Sequence, residues 1–182
     1  MALREIITVG DSRLRERARP VQAITPEIRH LAEDMVETMG EAEGVGLAAP
    51  QIGELTRIIV IELPEDEDVW GSGKLFVVIN PEIVRESREV ETGIEGCLSV
   101  PGYIGEVERA TEVLVRGMDI NGKRFRLRPR DYLARVFQHE IDHLDGVLYI
   151  DRLTAPEKIW EVQPGTEEMV EAEMQSAEAV SI

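Results

Sequence analysis

The segment Gln138-His139-Glu140-Ile141-Asp142-His143 decides the fold, because it places polar, chemically active side chains inside an otherwise apolar helical stretch. Asp131 is suited to open this helix and Gly146 to cap its end, so the sequence predicts a helix over residues 131–145. Apolar side chains recur on two of its sides, at Leu133, Phe137, Ile141 and Leu144 and at Tyr132 and Val136. A helix that is apolar nearly all round is buried in the core of its domain.

Outward from this helix, apolar and β-branched runs predict strands. They cover residues 57–63, 75–80, 83–90, 111–119 and 123–127. The turn signal Asn121-Gly122 joins the last two runs into a hairpin. An earlier helix is predicted over residues 25–39, with Thr25 as its cap, and Gly40 ends the pattern. This order of elements predicts an α+β fold rather than an alternating βαβ pattern.

The length of 182 residues fits one domain, predicted over residues 1–164, followed by an acidic tail over residues 165–182 that we expect to be frayed or disordered. The formal net charge is −16, which disfavours general binding to DNA or to anionic membranes. The single cysteine allows no intrachain disulfide, which suits a reducing compartment. With no secretory pattern and no apolar run of bilayer length, we expect a cytoplasmic protein.

His139 and His143 carry the strongest chemical signal. Side chains four residues apart lie on one face of a helix, so both imidazoles can reach one metal ion. Glu140 follows the first histidine, as in the H-E-x-x-H arrangement in which the glutamate acts as general base. Histidine is scarce, with three in the chain. The third, His30, lies among acidic residues of the first helix and is expected to be a surface residue.

A hydrolytic metal site normally has three protein ligands and one open position. The residues alone leave the third ligand open between Cys97 and a downstream glutamate, Glu157 or Glu161. A third histidine at the extended H-E-x-x-H spacing is absent, because Tyr149 occupies that position. A buried structural thiol is the commoner role of a lone cysteine.

Three segments resemble the signature motifs of peptide deformylases, in the family's order and at compatible spacing. They are GVGLAAPQIG at residues 44–53, EGCLS at residues 95–99 and QHEIDH at residues 138–143. The resemblance extends from about Leu3 to Leu153. It implies removal of the formyl group from the initiator methionine of nascent polypeptides, and an α+β fold with the metal helix packed into antiparallel strands.

The resemblance also implies a ligand set and catalytic roles. Cys97 joins His139 and His143 as metal ligands, and the family implies Fe²⁺ as the working ion. A thiolate with two imidazoles also suits Zn²⁺, Ni²⁺ or Co²⁺. Glu140 moves the proton, while the side-chain amide of Gln51 and the backbone N–H of Leu98 stabilise the negative charge that develops on the formyl oxygen.

The substrate, an N-formyl-methionyl nascent peptide, is expected to pair as an added strand beside Gly44, Val45 and Gly46. Val45, Tyr132 and Val136 are candidates for the slot that holds the methionine side chain, although plain core packing explains the last two equally well. Gly96 belongs to a shaped edge whose backbone can also bind substrate.

Glu95 is expected to orient either a metal ligand or Arg109. Family members often carry two acidic residues before Gly-Cys, whereas Ile94 precedes a single acid here.

Two arginine-rich stretches stand out in this acidic chain. They comprise Arg13, Arg15, Arg17 and Arg19, and later Arg124, Arg126, Arg128 and Arg130. They are typical of solvated faces of edge strands protected by charge. The functional alternative is a transient contact with ribosomal RNA.

Two other functions compete with the deformylase interpretation. One is a small H-E-x-x-H peptidase that uses Glu157 or Glu161 as third ligand. The other is a binding protein with a structural metal, which the glutamate at position 140 beside an open coordination position disfavours.

Overall fold

The computed structural model describes residues 2–163, which form two antiparallel sheets and two α-helices. The helices are α1 (Pro26–Glu41) and α2 (Asp131–Leu144). The strands are β1 (Gly46–Ala48), β2 (Ile58–Glu62), β3 (Leu75–Glu86), β4 (Val90–Gly96), β5 (Tyr103–Ala110), β6 (Val113–Met118), β7 (Arg124–Leu127) and β8 (Ile159–Glu161). The prediction of an α+β fold with antiparallel strands is confirmed.

The larger sheet has the strand order β1-β2-β3-β6-β7, and every neighbouring pair in it is antiparallel. Successive side chains of a strand point to opposite faces, so β2 supplies both sides of the sheet. Ile58 and Val60 pack with α1 on one face, while Ile59 and Ile61 pack with α2 on the other. The helix that carries the H-E-x-x-H segment therefore lies against a sheet whose far side is closed by α1.

The smaller sheet has the order β4-β5-β8 and brings the other chemical motif to α2. In the β4–β5 pairing, Glu95 lies opposite Gly105 and Gly96 opposite Ile104. Cys97 follows directly after β4, so the end of this strand delivers the thiol. Helix α2 contacts strands of both sheets, including β1 and β5.

Burial of α2 follows from its sequence. Leu133, Phe137 and Leu144 are fully buried, and Phe137 meets Phe76 of β3 edge to face with ring centroids 5.7 Å apart. Burying large apolar side chains of this kind stabilises the folded state by roughly 1.5–3 kcal/mol each. The helix ends as expected, since Gly146 takes the left-handed conformation at φ 75°.

Strand β3 differs from the sequence prediction. The sequence predicts two strands over residues 75–80 and 83–90, but β3 runs unbroken from Leu75 to Glu86. Its pairing with β6 shifts register between Ile79 and Glu82, where Asn80 has φ 52° and Pro81 follows. A bulge of this type absorbs a proline without ending the strand. The predicted boundary of the second run is therefore wrong, because its last residue already begins β4.

Two further predictions need correction. Helix α1 begins as predicted, with Thr25 as its cap and Pro26 in its first turn. Its predicted end is wrong: Gly40 adopts helical geometry, so the helix continues to Glu41. The arginines at positions 13–19 do not form an edge strand. Arg13 and Arg15 lie in a short 3-10 helix over Ser12–Arg15, which the Asp11 side chain caps.

No helix among residues 2–163 is long and apolar enough to cross a membrane. The expected acidic tail at residues 165–182 lies outside the described residues.

Candidate metal centre and active site

Cys97, His139 and His143 converge although the sequence separates the cysteine from the histidines. Each offers one ligand atom, and the three atoms lie within 4.8 Å of one another. The sulfur of Cys97 is 3.4 Å from Nε2 of His143. All three side chains are buried. The helix brings the histidines together, and the end of β4 supplies the thiol.

Glu95 fixes the orientation of His139. Its Oε2 lies 2.9 Å from Nδ1 of His139, which leaves Nε2 of that ring available as a ligand atom. Arg109 donates to both carboxylate oxygens, from Nε over 2.8 Å and from Nη2 over 2.9 Å. Burial alone would raise the pKa of Glu95, but the hydrogen bonds and charges of Arg109 and His139 outweigh it and hold the pKa well below its usual value.

Further contacts hold α2 in place. Arg109 also reaches Asp142, with 2.6 Å between Nη1 and Oδ2, so one guanidinium links β5 to the H-E-x-x-H segment. The ring of Tyr149 stacks on His139 with a centroid separation of 6.1 Å and an interplanar angle of 20°. The hydroxyl of Tyr149 donates to the carbonyl oxygen of Tyr103 over 2.9 Å.

Glu140 points its carboxylate toward β1. A Cβ atom on Gly46 would collide with Oε1 of Glu140, so only glycine leaves this space open. Oε2 of Glu140 is buried and has no hydrogen-bond partner within residues 2–163. Burial raises the pKa of Glu140 to about 7, close to the value that suits a group that must both accept and release a proton.

Gln51 is held so that its amide nitrogen faces the cysteine. Its Oε1 accepts a hydrogen bond from the backbone N–H of Ala48 over 2.8 Å. Its Nε2 lies 3.2 Å from the Ser99 hydroxyl and 3.6 Å from the sulfur of Cys97. The backbone N–H of Leu98 makes no hydrogen bond among the described residues. The Gln51 amide therefore borders the cluster of ligand atoms, and the Leu98 N–H belongs to the residue that follows Cys97.

The donor set fits a divalent transition-metal ion. A thiolate and two imidazoles are soft and borderline ligands of the kind that bind Zn²⁺, Fe²⁺ or Co²⁺. Burial lowers the pKa of His143 well below its usual range, which favours the neutral imidazole that ligates metals. Glu140, whose Oε2 has no hydrogen-bond partner within residues 2–163, lines the same cleft as Cys97 and His139.

A cleft opens beside the three ligand atoms and contains every residue predicted to bind substrate. These residues are Gly44, Val45, Gly46, Gly96, Tyr132 and Val136. Val136 also belongs to the main apolar core, and Val45 and Tyr132 pack against that core, so the two interpretations offered for Tyr132 and Val136 are compatible.

The cleft also includes residues that sequence reasoning did not assign to it. Glu95, Pro101 and Arg135 line its wall. Arg135 precedes His139 by one helical turn, and that spacing was the available signal.

The alternative ligands lie elsewhere. Glu157 and Glu161 are exposed, and neither belongs to a cluster of metal-ligating side chains within residues 2–163. His30 is exposed on α1, as expected for a surface histidine. The structure therefore brings Cys97 to the histidines and leaves both glutamates outside.

The chain is similar in sequence to proteins of known function. Residues 3–159 match the family model described as polypeptide deformylase. The chain is 47% identical to the peptide deformylase of Thermomicrobium roseum over 173 residues, which covers 94% of this chain and 98% of that protein.

Solved structures agree with the sequence comparison. The crystal structure of peptide deformylase from Thermotoga maritima superposes with a TM-score of 0.79 at 39% identity, covering 85% of this chain and 100% of that one. A Met-Ala-Ser-bound peptide deformylase from Acinetobacter baumannii superposes with a TM-score of 0.79 at 35% identity, covering 84% of this chain and 99% of that one. Because the family model covers most of its residues and its fold matches solved deformylases, the chain belongs to the polypeptide deformylase family, the metal-dependent hydrolases that remove the N-formyl group from nascent polypeptides.

Proposed function

We propose that Cys97, His139 and His143 hold an Fe²⁺ ion and that Glu140 performs the proton transfers of deformylation. The convergence of the three ligand atoms within 4.8 Å carries the proposal. A bound divalent cation supplies a nucleophile at neutral pH by lowering the pKa of water. The central metal-binding helix of the fold is α2.

Glu140 accepts a proton from the attacking water on its buried carboxylate. It then delivers this proton to the amine nitrogen as the C–N bond breaks, because the amine cannot leave as an anion, and the formyl group is released as formate. Burial that raises its pKa to about 7 supports both halves of this cycle. Gly46 contributes by leaving the space in which the carboxylate lies.

The formyl oxygen gains negative charge as water attacks. Gln51 and Leu98 provide N–H donors beside the ligand cluster, and Ala48 and Ser99 hold the Gln51 amide in its orientation. Donors fixed before the reaction stabilise the transition state without further reorganisation.

The formyl-methionyl peptide binds along β1, which is an edge strand of the larger sheet. An edge strand has backbone groups available for an added strand. The related peptide deformylase from Acinetobacter baumannii has Met-Ala-Ser bound, and we place the corresponding product in this cleft. The methionine side chain lies against Val45, Tyr132 and Val136, and Gly96 adds backbone contact.

Formate release tests this function directly. The protein is purified without oxygen, its iron content is measured, and formate is followed with formyl-Met-Ala-Ser as substrate. We expect turnover by the wild type and loss of turnover in Glu140→Ala at equal metal content. Turnover that survives this substitution would remove Glu140 from the mechanism.

We also propose that the enzyme works in the cytoplasm and contacts the ribosome transiently through β7. Arg124 and Arg126 of this edge strand are exposed and make no ion pair within residues 2–163. Arg13 and Arg17, in contrast, pair with Asp11 and Asp145. Unpaired arginines on an acidic protein are suited to phosphate contacts.

Ribosome co-sedimentation at low salt tests this contact. Replacing both Arg124 and Arg126 by glutamate should abolish binding, while the same change at Arg13 and Arg17 should leave it intact. If both variants bind ribosomes equally well, β7 is not the contact surface.

A further inference from the structure

Arg135 is a buried arginine in the wall of the cleft, and none of the roles described above uses it. It lies on α2 one turn before His139 and is 5% exposed. Its neighbours in the cleft wall, Tyr132 and Val136, are the residues that receive the methionine side chain in the proposed function. A charged group at this place needs a structural explanation, because burying an arginine without partners is costly.

The guanidinium of Arg135 is held by two strands. Nη1 donates to Oε1 of Glu95 over 3.0 Å and to the carbonyl oxygen of Val107 over 2.9 Å. Nη2 donates to the carbonyl oxygen of Glu91 over 2.8 Å. Since a planar fork with three acceptors has little rotamer freedom, this part of the wall is fixed before substrate arrives.

Gly93 provides the space for this guanidinium. A Cβ atom on Gly93 would lie 2.9 Å from both Cζ and Nη2 of Arg135. Gly93 and Glu95 are two residues apart on β4, so they face the same side of the strand and together form the seat of the arginine. The glycine gives room, and the carboxylate gives the opposing charge.

We propose that Arg135, seated on Gly93 and Glu95, is a specificity-determining residue that limits the size of the first side chain of the substrate. The fixed guanidinium forms the end wall of the slot, one helical turn before His139. An unbranched chain such as that of methionine fits, while bulkier side chains meet a wall that cannot move aside. The ion pair with Glu95 offsets the positive charge of Arg135, so an apolar side chain can lie against it.

The test rests on the proposed function and compares two substrates, formyl-Met-Ala-Ser and formyl-Phe-Ala-Ser. In Arg135→Ala the slot is enlarged, so the ratio of kcat/KM for the phenylalanine peptide to that for the methionine peptide should rise about tenfold or more. Arg135→Lys, which keeps most of the length and the charge, should stay nearer to the wild-type ratio. Arg116→Ala is the matched control, because Arg116 pairs with Glu82 on the surface.

Gly93→Ala provides an independent variant with the opposite sign. Its new Cβ displaces the guanidinium toward the cleft, so activity on formyl-Met-Ala-Ser should fall relative to activity on formyl-Ala-Ala-Ser. Calorimetric binding of Met-Ala-Ser and Phe-Ala-Ser to the zinc-loaded proteins gives a readout that does not depend on turnover. The binding preference should shift in the same direction as the kinetic ratio.

The outcomes separate the two hypotheses. The inference would be overturned if Arg135→Ala and Gly93→Ala lower kcat/KM equally for all substrates and leave the peptide preference in calorimetry unchanged. Arg135 would then serve only to position Glu95. Absence of formate release by the iron-loaded wild type would instead overturn the proposed function. If Arg135→Ala does not fold, Gly93→Ala and Arg135→Lys decide the question.

Discussion

The carboxylate of Glu95 accepts a hydrogen bond from Nδ1 of His139 over 2.9 Å, and this contact joins the smaller sheet to α2. Two guanidiniums, those of Arg109 and Arg135, bind the same carboxylate. The orientation of one imidazole thus depends on a buried cluster of charges that spans β4, β5 and α2.

Glu95→Ala should weaken both metal binding and folding. Loss of the group that orients a ligating histidine typically lowers metal affinity about 10- to 100-fold. Removing one partner of a buried charge cluster should also lower the free energy of unfolding by about 3–5 kcal/mol. Zinc affinity by chelator competition and urea denaturation measure the two effects. Glu82→Ala, which breaks only the exposed pair with Arg116, should change neither.

Glu140→Gln should change how the stability of the metal-free protein depends on pH. Burial raises the pKa of Glu140 from 4.5 to about 7, so the folded state holds this proton more tightly than the unfolded state. The resulting stabilisation is fully present below pH 4.5 and is lost as the pH rises through about 7. Relative to wild type, the variant should therefore gain about 1–3 kcal/mol between pH 4.5 and pH 8.5.

Urea denaturation at the two pH values, with chelator present, measures this gain. Glu108→Gln on the exposed side of β5 serves as control and should follow the wild type. If the free energy of unfolding changes equally between the two pH values in wild type and in Glu140→Gln, the raised pKa of Glu140 would be contradicted.

Gly46→Ala should reduce activity without releasing the metal. The three atoms nearest to the added Cβ all belong to Glu140, so the substitution displaces this side chain first. We expect kcat to fall about 100-fold or more, within the range of a lost general base. Gly40→Ala is the control: a Cβ there has nothing within 4 Å, and it should stabilise α1 by about 0.5–1 kcal/mol. Full activity in Gly46→Ala would mean that the carboxylate acts from another position.

Gln51→Ala should lower kcat far more than it raises KM. Its Nε2 is aimed toward the ligand cluster, so the variant loses a donor that acts mainly in the transition state. The expected loss in kcat is about 100- to 1000-fold, corresponding to about 2.7–4 kcal/mol. Steady-state kinetics at matched metal content test this. An equal rise in KM with unchanged kcat would assign Gln51 to substrate binding instead.

Air should inactivate the iron-loaded protein, because a ferrous ion beside a thiolate is readily oxidised. The zinc-loaded protein should resist air but turn over more slowly. Formate release measured before and after aeration, with metal analysis of each sample, checks both statements. Equal turnover by aerobic zinc protein and anaerobic iron protein would contradict iron as the working ion.

The sequence predicted the elements that carry local signals. The histidines at positions 139 and 143 define a face of one helix, and helical periodicity predicted α2 to within a residue or two. Cys97 could be assigned only through resemblance to a family, because its approach to the helix depends on the long-range pairing of β4 and β5. Strand β5 was missed since Gly105 and the charged residues around it break the apolar pattern that marks a strand.

The charge cluster illustrates why the rest escaped prediction. Arg135 is locally a polar interruption of an apolar helix, and Gly93 is locally a weakness in a strand. Only the packing of α2 against β4 reveals that the two positions are complementary. Contacts of this type depend on how elements pack, and no periodicity within either element records them.

The reactive centre is assembled from β1, the end of β4 and α2, three segments that become neighbours only when both sheets have formed. A truncated chain that stops before α2 would keep Cys97 but lack both His139 and His143, so it should bind no metal ion at this site. In the proposed mechanism, retention of a cation would therefore depend on the packing of α2 against both sheets, and loss of that packing should release it.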